Sequence, residues 1–244
     1  MSRAGRRFLS VVLATAEGLF LEPAEPRGLP VPLAPRAART VVAIYGLAPG
    51  CGTSTVARAL AAELGRRDPS GAAGLMCEAR ASAIPLATPD ASRLARAFEE
   101  LPGTVTRAVG RLALVRIGDP LALAESARHL APLVLDAGSS ALGGVPAAVA
   151  DLSVIVSTPS IEPSLARVAA ECLQRVGPAP VVVLNRAKQG VEPSPSQPGS
   201  GYGNDLVVLP ESRVGAQLAL GGREARGELG RAVATLADRC ERRN

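Results

Sequence analysis

The chain has 244 residues and a formal net charge of +5, and aromatic residues make up only 2% of it. This length suits one α/β domain with a sizeable core, and so few aromatic side chains argue against a surface that stacks nucleic-acid bases. Arginine supplies almost all the positive charge, because Lys188 is the only lysine in the sequence.

Residues 1–39 are predicted to be an N-terminal extension. Arginines precede the short apolar stretch Phe8–Ala16, as in a secretion signal, but the apolar core is at the short limit for one. We therefore favour an added strand or an amphipathic helix. Prolines spread from Pro23 to Pro35 indicate an extended linker. The folded domain is predicted to span residues 40–244, without a transmembrane helix.

Apolar runs alternate with helical patterns from Thr40 onwards. The predicted strands are 40–46, 73–78, 112–117, 132–136, 152–158, 180–185 and 205–209. The predicted helices are 54–66, 90–99, 119–130, 160–176, 211–220 and 225–241. Near-continuous apolar strands separated by helices indicate a three-layer α/β fold, with a mostly parallel sheet and helices on both faces. Ligands of such sheets bind at the carboxyl ends of the strands.

Several polar or glycine-rich positions lie at or just beyond those strand ends: 46–54, Glu78, Asp136, Asn185 and Pro210. The first of them joins a strand to a helix that Ser54 and Thr55 open, which is the context that a phosphate-binding P-loop requires. Glycines let backbone N–H groups close around phosphate, and the helix N-terminus adds favourable partial charge. A plain glycine turn of a Rossmann-like protein is the alternative interpretation of this segment.

The loop resembles that of the ParA/MinD family of partitioning and positioning ATPases, which follows the pattern Lys-Gly-Gly-x-Gly-Lys-[Ser/Thr]-[Ser/Thr]. The pattern falls on residues 48–55, and Ala48 and Thr53 stand where the family has lysines. Leu47 replaces the first glycine of the general P-loop pattern. The positions that match are Gly50, Gly52, Ser54 and Thr55.

Other segments follow the family's order over roughly residues 40–242. Leu133–Gly138 resembles the switch segment whose aspartate supports Mg²⁺ through water, and Ala150–Pro159 resembles the strand that comes next. Val181–Arg186 resembles the strand whose terminal asparagine reads adenine. Leu206–Glu211 resembles the strand whose proline packs on the base. Each segment alone is a generic buried strand, but their order is specific.

The resemblance implies ATP or ADP with Mg²⁺ as candidate ligands. It implies Ser54 and Asp136 as metal-binding residues, and Glu78 as the acid that orients the attacking water. The nucleotide-binding positions that it implies are Gly50, Cys51, Gly52, Thr53, Ser54, Thr55, Asn185 and Pro210. Cys51 falls on the variable position of the loop pattern. The other cysteines include Cys77 and Cys172, which we predict to be small core residues.

Loss of both lysines leads us to expect weak or absent ATP hydrolysis, because phosphoryl transfer depends on charge stabilisation. The sequence thus favours a cytoplasmic pseudo-ATPase with a deviant Walker A loop, acting as a scaffold or regulator in chromosome, plasmid, septum or pilus positioning. Its expected partner is another protein or a second copy of the chain. The alternatives are an active ATPase with a non-lysine loop, a related P-loop synthetase, and a non-catalytic DNA- or membrane-binding module.

The net charge and the C-terminal helix indicate whether DNA or a membrane is the more plausible binding partner. A net charge of +5 is compatible with weak, nonspecific DNA binding. The C-terminal helix has a narrow apolar stripe without large aromatic residues, and its polar face mixes acids with arginines. We therefore predict that this helix docks on the domain, and a membrane surface is the less favoured partner.

Overall fold

The structure is a computed structural model, and it describes residues 39–77, 86–101, 103–116, 120–139, 145–188 and 205–242. Glu78, the predicted catalytic acid, lies outside the described residues. The predicted N-terminal extension lies outside them as well, except for Arg39. Its boundary with the folded domain therefore stays a prediction.

An eight-stranded sheet organises the described chain. Its order is β3-β4-β2-β5-β1-β6-β7-β8, and every neighbouring pair is parallel except β3 with β4. The strands are β1 Val41–Gly46, β2 Ala73–Met76, β3 Val105–Val109, β4 Leu112–Arg116, β5 Leu133–Asp136, β6 Leu152–Ser157, β7 Val181–Ala187 and β8 Leu206–Pro210.

Helices cover both faces of this sheet. They are α1 Thr53–Arg67, α2 Pro89–Glu99, α3 Pro120–Ala127, α4 Val145–Val149, α5 Pro163–Gln174, α6 Arg213–Leu220 and α7 Gly227–Arg242. Val42 and Ile44 of β1 share one core cluster with α1 and α7. Val41 and Tyr45 share the other with α2, α3 and α5. The predicted three-layer, mostly parallel architecture is confirmed.

The sequence pattern follows directly from these two clusters. All residues of β1 and β6 are buried, and a strand with helices on both faces needs apolar side chains at successive positions. Successive residues of one strand point to opposite faces. Val42 and Tyr45 therefore enter different cores, although only two residues separate them.

Two elements were not predicted, namely β3 and the short helix α4. β3 pairs antiparallel with β4 at the sheet edge, and Val109 faces Leu112 across a two-residue turn. Gly110 opens this turn with a φ of 56°, and glycine at that position is typical of type II′ hairpins. β3 is difficult to predict from the sequence because it is exposed. Val105 is 67% exposed, and a solvated edge strand lacks the continuous apolar run of a central strand.

The predicted role of Cys172 as a core residue is wrong, whereas Cys77 is buried as expected. Ala169 and Leu173 of α5 are buried against the sheet. A step of one residue turns the side chain by about 100° around a helix of 3.6 residues per turn, so the residue before Leu173 faces outward. Cys172 is accordingly exposed.

The C-terminal helix α7 packs on the domain as predicted, against α1 and β8. Its apolar residues are buried: Leu229, Val233, Leu236, Ala237 and Cys240. Arg67 of α1 reinforces the contact, since its Nη1 lies 2.6 Å from Asp238 Oδ1 and 2.9 Å from Glu241 Oε2. The apolar face that a membrane would need is therefore covered. Across the described chain, no helix combines the length and apolar character needed to cross a membrane.

Candidate functional site

The segment after β1 is held at the carboxyl edge of the sheet by the strands on either side. Gly46 N–H donates to Gly138 O at 2.7 Å, beyond the end of β5, and Leu47 N–H donates to Val156 O of β6 at 3.0 Å. The chain then turns back on itself, with Cys51 N–H donating to Ala48 O at 3.3 Å. These bonds give the loop a defined place before α1 begins.

Two glycines make this turn possible. Gly50 has a φ of 83° and Gly52 a φ of 87°, in the left-handed region that glycine adopts without penalty. Gly52 also caps α1, and a Cβ added to it would lie 2.4 Å from Nδ2 of Asn185. A Cβ added to Gly50 would meet nothing within 4 Å. The positive φ therefore favours glycine at both positions. At position 52 a larger residue would in addition collide with Asn185.

A set of unpaired backbone donors follows from this geometry. The first helical bond runs from Val56 N–H to Gly52 O at 2.9 Å. The first N–H groups of a helix have no intrahelical acceptor, and Gly52 caps α1 without a side-chain hydrogen bond. On the loop and the first turn of α1, the backbone N–H groups without a hydrogen-bond acceptor among the described residues are those of Gly50, Gly52, Thr53, Ser54 and Thr55. Together with the helix dipole, such donors form an anion-binding site.

Thr53, at the predicted lysine position, faces the end of β1. Its side chain is buried, with 8% of the residue exposed. A Cβ added to Gly46 would lie only 2.2 Å from its Oγ1, so the hydroxyl packs directly against that glycine. Ser54 and Thr55 are partly exposed on the first turn of α1. The loop and this first turn thus present backbone donors and hydroxyls but no cationic side chain.

The predicted metal-binding residues lie on neighbouring elements. Asp136 ends β5 opposite Ile44 of β1, is partly exposed and accepts a bond from Gly138 N–H at 3.1 Å. No group of three or more His, Cys, Asp or Glu in the described ranges is placed to hold a metal ion. Mg²⁺ typically takes one or two carboxylates together with phosphate oxygens and waters. Asp136 and Ser54 offer a carboxylate and a hydroxyl oxygen, which are the ligand types that an ion arriving with a nucleotide would take.

Asn185 and Pro210 lie at the carboxyl ends of β7 and β8, next to the loop. Asn185 is buried in β7, and its Nδ2 donates to Cys51 O at 2.8 Å. Both residues line a cavity of about 200 Å³ that also borders Thr55 and the helices α6 and α7. Ligand sites usually measure about 300–1,000 Å³, so a base that enters this cavity must widen it.

A larger cavity, of about 760 Å³, lies along the other side of the same loop. Ala48–Cys51 form one wall, Thr158–Ile161 after β6 form another, and Leu184 with Ala187 close it at β7. Arg186 and Glu211 line both cavities. Neither residue is among the nucleotide-binding positions that the family resemblance implies, although both lie at carboxyl ends of parallel strands, where ligands of such sheets bind.

One buried polar group, next to the loop in sequence, makes no hydrogen bond within the described residues. Tyr45 precedes Gly46 in β1 and is 1% exposed, and within the described residues its hydroxyl makes no hydrogen bond. Burial raises the pKa of Tyr45 to about 12. The hydroxyl therefore stays neutral at physiological pH.

Solved structures of other proteins share this fold. A ParA family ATPase from Chlorobium tepidum TLS matches with a TM-score of 0.57 at 16% identity, over 82% of this chain and 98% of that one. The chain has the ParA/MinD P-loop fold. The MinC:MinD cell division complex of Aquifex aeolicus contributes a match with a TM-score of 0.52 at 16% identity, over 83% of this chain and 96% of that one.

The McdA(D38A)–ATP complex of Cyanothece matches with a TM-score of 0.54 at 14% identity, over 84% of this chain and 96% of that one. No protein-family model matches the sequence, and no curated protein matches it either. The predicted ParA/MinD-like fold is confirmed by these structures. At such identities the likeness defines the fold, so the chemistry has to be argued from this chain's own residues.

Proposed function

We propose that this chain is a ParA/MinD-like protein that binds ATP or ADP with Mg²⁺ and hydrolyses ATP slowly or not at all. The observation that carries the proposal is the set of unpaired N–H groups on the loop and the first turn of α1. They lie at the carboxyl edge of a parallel sheet, where this class of fold binds its ligands. A phosphate chain supplies the negative charge and the acceptors that these donors lack.

The remaining positions take the other parts of the nucleotide. Ser54 and Asp136 would hold Mg²⁺, which neutralises phosphate charge when it is bound. Asn185 and Pro210 border the cavity that would take the base. Cys51 contributes through its backbone, since its carbonyl receives the Asn185 bond.

Slow hydrolysis follows from the absence of a cation on the loop. Arg58, one turn into α1, does not replace it, because it is 2% exposed and its Nη1 donates to Leu220 O at 3.0 Å. A charge-assisted hydrogen bond contributes about 1.5–3 kcal/mol, and its loss costs more in a transition state, where negative charge moves. We therefore expect the proposed site to bind nucleotide but to hydrolyse ATP slowly.

The biological role is proposed from the proteins that share the fold, which include a ParA family ATPase and a MinC:MinD cell division complex. We assign the chain to intracellular positioning or partitioning in the cytoplasm, as a scaffold or regulator. Its partner is a second copy of the chain or another protein. Weak DNA binding is a secondary proposal that rests on the net charge of +5, and it should weaken steeply with salt.

Calorimetry with Mg·ADP and Mg·ATP tests the nucleotide site. Ser54→Ala removes a proposed magnesium ligand, and Ser164→Ala is its matched control, because both serines are the second residue of a helix. We expect the wild type and Ser164→Ala to bind, and Ser54→Ala to lose the magnesium-dependent part of the affinity. No heat of binding at millimolar nucleotide would overturn the proposal.

Turnover is measured on the same proteins. Phosphate release by the wild type should stay near background at saturating Mg·ATP. A robust magnesium-dependent rate that Ser54→Ala abolishes and Ser164→Ala retains would instead establish the alternative of an active ATPase with a non-lysine loop.

A further inference from the structure

We propose that Arg186 is a phosphate-contacting cation of this site and supplies, for binding, part of the charge that the absent loop lysine would bring. The inference rests on the proposed function, since it concerns a nucleoside di- or triphosphate bound at the same loop. It assigns the charge to the end of β7 instead of to the loop itself.

The backbone of Arg186 is the first reason. Its φ is 59°, and it is the only non-glycine residue with a positive φ in the part of the chain that the structure describes. This conformation is unfavourable for an L-residue other than glycine, and such residues concentrate at ligand sites. The pairing of β7 with β8 is also irregular between Leu184 and Ala187, and bulges of this kind redirect side chains.

The position of Arg186 is the second reason. It lines the larger cavity together with Gly50 and Cys51, and the smaller cavity together with Gly52 and Thr55. The residue before it, Asn185, is tied to the loop by a 2.8 Å bond to Cys51 O. Arg186 therefore borders the cavities on both sides of the loop, next in sequence to a residue that is bonded to the loop.

The charge around the loop is the third reason. Arg186 is exposed, and its side chain forms no hydrogen bond or ion pair with another described residue. Lys188 lines only the larger of the two cavities and Arg213 only the smaller. A guanidinium binds phosphate oxygens bidentately and stays charged at every physiological pH. Among the described cationic residues that line these two cavities, Arg186 is the one that borders both.

The test uses variants that suit the left-handed backbone. Arg186→Gly removes the guanidinium and relieves the unfavourable φ, Arg186→Asn does the same with a residue that tolerates this region, and Arg186→Lys keeps a charge but loses bidentate geometry. Arg175→Ala removes an exposed arginine from the turn after α5 and serves as the control. Calorimetry with Mg·ADP and with inorganic pyrophosphate gives the affinities.

We expect Arg186→Gly and Arg186→Asn to weaken both ligands by about 10- to 100-fold, the usual effect of losing a charge-assisted hydrogen bond. Arg186→Lys should fall in between, and Arg175→Ala should match the wild type. Because the glycine and asparagine variants fit the backbone, their thermal midpoints should equal or exceed that of the wild type.

The outcomes separate the two proposals. If the wild type binds and neither charge-removing variant loses affinity, Arg186 is not the cation, although the site still binds nucleotide. A loss in Arg213→Ala without one in Arg186→Gly would likewise overturn the assignment, in favour of Arg213. If the wild type binds neither Mg·ADP nor pyrophosphate, the proposed function fails and this inference fails with it.

Discussion

The side-chain amide of Asn185 donates a hydrogen bond to the backbone carbonyl of Cys51 at 2.8 Å, across 134 residues of sequence. Both residues are buried. The bond fixes the loop after β1 to β7, and it places Nδ2 where a side chain on residue 52 would collide with it. The asparagine that the family resemblance assigns to adenine thus also supports the loop.

This bond predicts different effects for two substitutions of Asn185. Asn185→Ala leaves the Cys51 carbonyl without its donor and should lower the free energy of unfolding by about 1–3 kcal/mol. Asn185→Asp places a carboxylate against that carbonyl and beside the loop that would bind the phosphates, so its loss of Mg·ADP affinity should be the larger of the two. Urea unfolding and calorimetry check both effects. Equal affinities for the two variants would show that the side chain does not face bound phosphate.

Thr53→Lys should raise affinity for Mg·ADP by about tenfold or more, because it adds a charge-assisted contact beside the unpaired N–H groups. The hydroxyl now packs against Gly46 in a buried position, so a loss of thermal stability should accompany the gain. Thr235→Lys, on the exposed face of α7, controls for added charge. Calorimetry on the folded variants checks the prediction, and Ala48→Lys is the further change for dimer-coupled activity. No gain would argue that the loop is not a phosphate cradle.

Glu63 should give the protein an acid-sensitive contribution to stability. Burial raises the pKa of Glu63, but hydrogen bonds and charges from Arg66 and Arg67 outweigh burial, so the net pKa is lowered. A lowered pKa in the folded state means stability that is present above the unfolded value, about 4.3, and lost as pH falls through the folded value. Arg67 also holds Asp238 of α7, so the loss should weaken the contact between α1 and α7.

Urea unfolding of the wild type and Glu63→Gln at neutral and acidic pH measures this contribution. At pH 7 the variant should be less stable by about 1–3 kcal/mol, because it removes a charged partner from two arginines. Below the unfolded value of about 4.3 the difference should shrink as pH falls, because the unfolded wild-type carboxyl takes up its proton before the folded one does. A difference that stays constant with pH would contradict the assignment.

Tyr45→Phe should stabilise the protein by about 1 kcal/mol or more. The hydroxyl is buried without a hydrogen-bond partner in the described structure, and an unsatisfied buried polar group costs about 1–3 kcal/mol. The ring itself stays in place, so packing is retained. Thermal unfolding of the two proteins measures the change. A clear loss of stability would show that the hydroxyl has a partner in solution.

Much of the fold was predictable from local pattern. The strand preceding the loop and the helix following it were predicted to within one residue at each end, because burial on both faces forces continuous apolar residues into β1 and β6. The pairing of the exposed edge strand β3 could not be predicted from local pattern. Thr106 and Arg107 interrupt the apolar residues of β3, and its pairing with β4 is what defines it as a strand.

The site divides in the same way. The sequence alone determined that a glycine-rich loop without lysine joins the first strand to a helix, since glycine content and residue order are local properties. The tertiary structure alone decided which N–H groups stay unpaired, that Thr53 packs against Gly46, that Asn185 bonds to Cys51, and that Arg186 borders both cavities. Those relationships arise when the carboxyl ends of β1, β5, β6 and β7 meet at one edge of the sheet. The spacing of these residues along the chain does not show which of them will be in contact.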